Sequence, residues 1–164
     1  MTSPFVAILM GSDSDLPLMQ STCEILKKFD ISYEVRITSA HRTPEDTKNY
    51  VQDADTRGCA AFIAAAGLAA HLAGAVAAST LTPVIGVPVD AGPLQGMDAL
   101  LSTVQMPAGI PVATVAIGKA GAKNAGYLAA QIIAVSDASV KQKLLAEREE
   151  NAHAIREKNK SIDL

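Results

Sequence analysis

Short runs of apolar residues alternate along the chain with longer segments in which apolar side chains recur every three or four positions. The short runs predict five strands, at residues 5–10, 33–37, 61–65, 84–89 and 112–117. The longer segments predict six helices, at residues 15–29, 44–56, 71–80, 97–104, 122–135 and 138–159. This alternation predicts an α/β fold with a parallel sheet and helices on both faces.

The predicted strands are continuously apolar, as expected when both faces of a sheet are buried. Five such strands favour a three-layer, flavodoxin-like winding over a full dinucleotide-binding fold. No linker or internal repeat divides the chain before the C-terminal helix. We therefore expect one catalytic domain over residues 1–136.

The remaining residues, 137–164, form an extended C-terminal helix of different composition. Residues 141–160 are strongly charged. The apolar positions make only a thin stripe at roughly helical intervals, namely Val140, Leu144, Ile155 and Ile162. Such a helix lies either on its own domain or across a neighbouring subunit, and the second arrangement is favoured because the main domain looks complete by Val135.

Composition narrows the classes to which the chain can belong. Of 164 residues, 49% are hydrophobic and only 4% are aromatic, and the mean hydropathy of +0.21 is high for a soluble monomer. We therefore expect a homo-oligomer that buries part of its apolar surface between subunits. The net charge of −3 and the lack of a basic run argue against nucleic acid as a partner.

The cysteines and the N-terminal segment indicate neither a metal site nor a targeting signal. Cys23 and Cys59 lack metal-ligand spacing and are predicted to be small buried apolar groups. No signal-peptide pattern opens the chain, and no apolar run free of Gly and Pro is long enough to span a membrane. The cytosol is the expected compartment.

Polar residues concentrate in three predicted strand-to-helix loops, which emerge at the same edge of a parallel sheet. In the first loop, Gly11 permits a close backbone approach, while Ser12 and Ser14 offer hydroxyls and free amides at a helix start. The same loop fits a simple helix cap by Ser14 or Asp15 equally well. It has neither the lysine of a P-loop nor the spacing of a serine nucleophile elbow.

The second loop places a histidine beside an arginine, ahead of a helix start in which Thr43 supplies a capping hydroxyl and Pro44 the first helical position. His41 can move a proton near neutral pH, and Arg42 can hold a phosphate with Ser39 and Ser12 nearby. The alternatives are a structural histidine and a surface ion pair, and both are less favoured.

The third loop, residues 66–71, ends in His71, for which packing and site roles are equally favoured. His153 lies in the charged terminal helix and is predicted to be solvated. No His, Asp or Glu pair sits at ligand spacing on one element, so no metal site is expected.

Six motifs in order resemble the bacterial N5-carboxyaminoimidazole ribonucleotide mutase family of purine biosynthesis. They are GSDSD at 11–15, SAHRTP at 39–44, AGLAAHL at 66–72, GVPV at 86–89, QMP at 105–107 and AIGKAGA at 116–122. The match runs from about Val6 to Ile133 and leaves the charged tail outside strong motifs.

The resemblance implies a mutase that moves a carboxylate from the exocyclic nitrogen to carbon 4 of an aminoimidazole ribonucleotide, without metal, ATP or organic cofactor. It implies a cytoplasmic homo-octamer with the terminal helix on a neighbour. The implied substrate contacts are Ser12, Ser39 and Arg42 with the 5′-phosphate, Asp15 with the ribose, and Gly67, His71 and Leu72 with the base and carboxylate, while His41 carries the proton. Ser14 joins this set as a further hydroxyl of the first loop.

Two positions depart from the family pattern, and two rival functions remain. Ala73 stands where proline is usual. The loop at residues 90–94 also differs from the family pattern, so no role is assigned to that loop.

The related animal-type carboxylase uses carbon dioxide directly, but its second loop usually has Lys-Gly-Pro where this chain has Arg42, Thr43 and Pro44. A flavodoxin-like binding or signalling module is the rival from another class, although no aromatic residue lies in the predicted loops.

Overall fold

The computed structural model describes residues 4–162 and contains the predicted five-stranded parallel sheet. The strands are β1 (Phe5–Met10), β2 (Ser32–Ile37), β3 (Cys59–Ala66), β4 (Val84–Pro88) and β5 (Ala113–Thr114). The helices are α1 (Leu16–Lys28), α2 (Pro44–Thr56), α3 (Leu72–Ala77), α4 (Met97–Val104), α5 (Gly118–Ala134) and α6 (Ala138–Lys160). A single 3₁₀ turn, Asp13–Asp15, precedes α1.

The strand order is β2-β1-β3-β4-β5, which confirms the flavodoxin-like winding. Alternate strand residues face two separate apolar clusters. On one face, Val6, Ile8 and Met10 pack with residues of α1 and α5. On the other face, Ala7 and Leu9 pack with residues of α2 and α3. Both faces of β1 are therefore buried, which explains its continuous apolar run. The prediction of such a run was wrong for the edge strand β2, which contains Glu34 and Arg36 and is largely exposed.

The last strand is much shorter than the predicted segment 112–117. Only Ala113 and Thr114 pair with β4, and the ladder continues for one bond, from the Val115 amide to the Gly86 carbonyl, at 3.1 Å. The next amide on this side of β4 would belong to Pro88, which has no hydrogen to donate. The prediction overestimated this strand because apolar character cannot report a missing donor on the neighbouring strand.

Two helices differ in length from their predicted segments. Helix α5 begins at Gly118 instead of residue 122, because Gly118 adopts a φ of 71° and Gly121 lacks the side chain that would overlap the Ala116 carbonyl. The two glycines lower helix propensity, which is why the sequence pattern placed the helix start four residues too late. Helix α3 ends at Ala77 instead of residue 80, and the Thr80 hydroxyl then donates to Asp55 at 2.5 Å.

Helix α6 contacts its own domain over its first half. Asp137 Oδ1 caps the helix by accepting from the amides of Ser139 at 2.9 Å and Val140 at 3.1 Å. Val140 is buried, and Leu144 packs against the core cluster of α1 and α5. The second half carries the exposed apolar side chain of Ile155, and Ile162, just beyond the end of the helix, is equally exposed, each at 59%.

The remaining sequence-level expectations concern cysteines and membrane spans. Cys23 and Cys59 are free thiols and both are buried, as predicted. Over residues 4–162, no helix combines the length and the apolar character needed to cross a bilayer.

Candidate active site

The three polar loops meet over the carboxyl end of β1, where the winding of the sheet reverses between β1 and β3. The Gly11 amide donates to the Ala65 carbonyl at 3.2 Å, and the Thr38 amide donates to the Met10 carbonyl at 2.9 Å. These bonds hold the loops after β1 and β2 at the same edge. A cavity of about 570 Å³ opens between them. Every residue predicted for the site lines this cavity: Ser12, Ser14, Asp15, Ser39, His41, Arg42, Gly67, His71 and Leu72.

The first loop is organised around the hydroxyl of Ser12. Ser12 Oγ accepts from the Ser14 amide at 3.3 Å and from Ser14 Oγ at 2.9 Å. The cap of this turn is therefore Ser12, and neither Ser14 nor Asp15 caps a helix through its side chain. Burial raises the pKa of the Asp15 carboxyl, and interactions with Ser12 and Ser14 oppose that rise only in part.

The second loop is a closed turn with an arginine at its tip. Ser39 Oγ accepts from the Arg42 amide at 3.1 Å, and Thr43 Oγ1 accepts from the Ser39 amide at 3.0 Å. Thr43 occupies the N-cap position of α2, but the prediction that its hydroxyl caps the helix is wrong. The hydroxyl instead donates to the Ser39 carbonyl and closes this loop. The exposed guanidinium of Arg42 reaches toward the first loop, with Nη2 3.5 Å from the Gly11 carbonyl.

The second and third loops touch through their histidines. His41 Nε2 lies 3.1 Å from His71 Nδ1, and the ring centroids are 5.0 Å apart. Both rings are exposed to the cavity. Of the two roles left open for His71, the geometry favours the site role, since its ring bonds across the cleft. His153 lies elsewhere, exposed on α6, with Nε2 3.6 Å from Glu157.

A fourth loop, between β4 and α4, also reaches the cavity, and sequence reasoning gave it no role. Ala91 lines the cleft beside Gly67, where an added Cβ would lie 3.0 Å from the Ala91 Cβ. Leu68 adopts a positive φ of 55° and covers Gly92. The available signal was topological, because this loop follows a parallel strand at the same sheet edge.

The cavity combines hydroxyls, one cationic guanidinium, two imidazoles and one buried carboxylate with a wall of small apolar residues. That wall includes Ala40, Ala66 and Ala69. No tyrosine or phenylalanine lines the cavity. Within residues 4–162, no group of three or more His, Cys, Asp or Glu side chains is arranged to hold a metal ion.

Comparison with known proteins assigns the chain to a family. The family model described as AIR carboxylase matches residues 5–154. The chain belongs to the AIR carboxylase family. The resemblance noted in the sequence is thereby confirmed, since this match covers all six motifs and the first half of α6.

Curated relatives of similar length include proteins named N5-carboxyaminoimidazole ribonucleotide mutase. The chain is 50% identical over 159 residues to the N5-carboxyaminoimidazole ribonucleotide mutase of Bacillus subtilis, covering 97% of this chain and 98% of that protein. It is 52% identical over 147 residues to the mutase of the same name from Pyrococcus abyssi, covering 90% and 83%.

A solved structure in the family shares the whole fold. The crystal structure of Treponema denticola PurE matches with a TM-score of 0.89 and 32% sequence identity. The match covers 98% of this chain and 99% of that one, so it includes α6 as well as the sheet.

Proposed function

We propose that this chain converts N5-carboxyaminoimidazole ribonucleotide into 4-carboxy-5-aminoimidazole ribonucleotide, a step of de novo purine biosynthesis. The observation that carries the proposal is the meeting of His41 and Arg42 with the Ser12–Asp15 loop in one cavity. A proton-transfer group, an anion-binding group and hydroxyl-binding groups then lie within reach of one nucleotide. Relatives of about 50% identity that bear the name of this mutase support the choice of reaction.

The phosphate end of the nucleotide is assigned to Arg42 with Ser12 and Ser39. A guanidinium binds phosphate oxygens in a fixed fork, and serine hydroxyls and amides add further donors. The long 3.5 Å approach of Arg42 Nη2 to the Gly11 carbonyl shows that the side chain already leans over the Ser12 loop. Ser14 adds a hydroxyl beside Ser12, and the Asp15 carboxylate is assigned to the ribose hydroxyls.

The chemistry requires one group that first gives and then takes a proton. Protonation of the carbamate nitrogen by His41 breaks the N–C bond and frees carbon dioxide, whose electrophilic carbon is then attacked by carbon 4 of the ring. His41 removes the proton from carbon 4 and returns to its starting state, so the reaction consumes no net acid or base. No electron leaves the system and no phosphoryl group moves, so the reaction calls for neither a redox cofactor nor ATP.

The carbon dioxide must stay beside the ring between these two steps. Gly67, His71 and Leu72 are assigned to the base and the carboxylate, and the alanine-rich wall supplies an apolar enclosure. Leu72 is almost completely buried at the start of α3, so this side of the cavity is rigid.

The carboxylase that adds carbon dioxide directly to the uncarboxylated nucleotide is the second candidate. The description of the matching family model as AIR carboxylase is the observation that favours it. Two observations argue against the carboxylase. The second loop contains Arg42, Thr43 and Pro44, and the curated relatives are named as mutases.

The deciding experiment offers the purified protein each nucleotide in turn, with and without added bicarbonate. We expect turnover of the carboxylated nucleotide without bicarbonate. Turnover of the uncarboxylated nucleotide that depends on added bicarbonate, with none of the carboxylated one, would establish the carboxylase. His41→Asn is expected to keep nucleotide binding and to lower kcat by at least about 100-fold, the usual contribution of a general acid–base. Unchanged kcat in this variant would remove His41 from the mechanism.

The oligomeric state and the cellular compartment are also part of this proposal. We propose a homo-octamer in the cytosol, in which α6 contacts a neighbouring subunit through its second half. The exposed apolar side chains of α4 and α6 support an assembled state: Met97, Leu101, Val104, Leu145 and Ile155 are each 46% to 59% exposed.

A further inference from the structure

The two histidines of the cavity form one hydrogen-bonded unit. They come from loops 30 residues apart that follow non-adjacent strands, and their bond crosses the end of β1. The His41 Nε2 to His71 Nδ1 distance of 3.1 Å is that of a normal hydrogen bond. Only one of these two nitrogens can carry the shared proton.

We infer that His71 is a positioning residue that fixes the tautomer of His41. The unprotonated Nδ1 of His71 accepts the Nε2–H of His41, and Nδ1 of His41 is thereby left as the nitrogen that exchanges protons with the substrate. The assignment of a tautomer stands on the geometry alone, whereas its catalytic consequence rests on the proposed function.

The direction of the bond follows from the two states that His41 must pass through. As an acid, His41 is an imidazolium with both nitrogens protonated, and as a base it is neutral with one. If His41 donates from Nε2, the bond to His71 exists in both states, and only Nδ1 gains or loses a proton. If His71 donated instead, protonating His41 would place two hydrogens between the rings and break the bond.

The backbone around His71 holds its ring at this place. Ala70 and Leu72 on either side are buried, and the Ala75 amide donates to the His71 carbonyl at 3.0 Å. His71 is the N-cap residue of α3, yet its side chain makes no capping bond and is free to face His41. A base held by a second group in this manner has the arrangement found around many catalytic histidines.

The assignment also leaves His71 a second function in the cavity. With its Nδ1 unprotonated, neutral His71 carries its hydrogen on Nε2, which can donate to the carboxylate being transferred. Both the orienting role and the substrate contact are therefore compatible with one tautomer.

Solid-state NMR of protein labelled with ¹⁵N-histidine tests the tautomers directly and without substrate. The chain has three histidines, so His41→Asn, His71→Asn and His153→Asn each remove one identifiable set of signals. In the neutral form of each ring, which the ¹⁵N chemical shifts themselves identify, we expect protonated Nε2 and unprotonated Nδ1 in both His41 and His71. A proton on Nδ1 of either ring overturns the inference.

Kinetics test the catalytic consequence with a matched pair of variants. In His71→Asn, the side-chain oxygen can stand where Nδ1 stood and accept the same bond, whereas His71→Leu removes the acceptor. We expect kcat of His71→Leu to fall by about 10- to 100-fold, the loss typical of removing a group that orients a histidine. His71→Asn is expected to recover at least about tenfold of that loss.

The outcomes separate this inference from the proposed function. Equal losses of kcat in both variants, or a change confined to KM, would mean that His71 only contacts substrate, and the inference would be wrong. If the unaltered protein turned over neither nucleotide, the proposed function would fail, while the NMR measurement would still decide the tautomers. Circular dichroism of both variants establishes that they are folded before kinetics are compared.

Discussion

At the residue scale, the cavity holds a carboxylate in an environment that penalises its charge. Asp15 is buried, and burial raises the pKa of its carboxyl above the ordinary value of 3.8. The folded state therefore binds a proton more tightly than the unfolded state does. Stability is highest below the ordinary pKa and is lost as the pH rises through the folded pKa. Asp15 thus lowers stability at neutral pH, a cost that its assigned contact with the ribose explains.

This reasoning predicts that Asp15→Asn stabilises the free protein and weakens nucleotide binding. The Tm should rise at about pH 7.5, and the gain should shrink as the pH is lowered toward about 3, where the carboxyl is largely neutral in both states. Differential scanning calorimetry across pH measures the first effect, and titration with nucleotide measures the second. Asp46→Asn, at an exposed helix start, is the control. A lower Tm at neutral pH would show that the charge of Asp15 is stabilised by a partner.

Much of this site was accessible from residue order alone, because parallel strands deliver their following loops to one edge. The nine predicted residues needed only that rule to be brought together. The bond between His41 and His71 could not be predicted from the sequence, since it depends on two side-chain rotamers and on how far each loop extends above the sheet edge. The capping bond predicted for Thr43 does not form, for a related reason. The Thr43 hydroxyl could bond either to the first turn of α2 or to the backbone of Ser39, and in the structure it bonds to Ser39.

At the element scale, a buried carboxylate joins the apolar contacts of Val140 and Leu144 in holding α6 on its own domain. Glu147 Oε1 accepts from Lys28 Nζ of α1 at 2.5 Å and from Tyr127 Oη of α5 at 2.6 Å. Burial alone would raise the pKa of Glu147, but the bonds from Lys28 and Tyr127 outweigh it and the pKa is lowered. Periodicity predicted the bounds of α6 closely, yet it could not find this anchor, because a glutamate in a charged helix looks solvated.

We predict that Glu147→Ala destabilises the protein through this anchor. Removal leaves the half-buried Tyr127 hydroxyl without its acceptor and should cost about 1–3 kcal/mol, with a Tm lower by several degrees. Because the folded pKa of Glu147 is lowered, its contribution exists above the ordinary pKa of 4.5 and is lost as the pH falls through the folded value. Thermal unfolding of Glu147→Ala and of the exposed control Glu150→Ala should therefore differ at neutral pH and converge in acid. Equal Tm values at neutral pH would show that the anchor contributes nothing.

At the scale of the whole molecule, the apolar excess of the sequence is only partly buried within one chain. The two helix layers bury most of β1, β3 and β4, but large apolar side chains remain exposed on the edge strand β2, on α4 and on α6. Composition predicted this surplus without locating it, because the position of an exposed side chain depends on how each helix is rotated against the sheet. The first half of α6 packs against its own domain through Val140 and Glu147. The large apolar side chains that this helix leaves exposed for a neighbour are Leu145 and, in its second half, Ile155.

This division predicts that the second half of α6 can be disabled without unfolding the domain. In Ile155→Asp, a charge replaces an exposed side chain that would be worth about 1.5–3 kcal/mol when fully buried between subunits. We expect light scattering to show a smaller species at the protein concentrations where the unaltered chain is fully assembled, with far-UV circular dichroism retained. His153→Asp adds a charge on the other side of the helix, since residues two apart do not share a face, and it should leave the mass unchanged. An Ile155→Asp protein of full mass, or one that loses its fold together with its assembly, would contradict the assignment of this helix end to a neighbouring subunit.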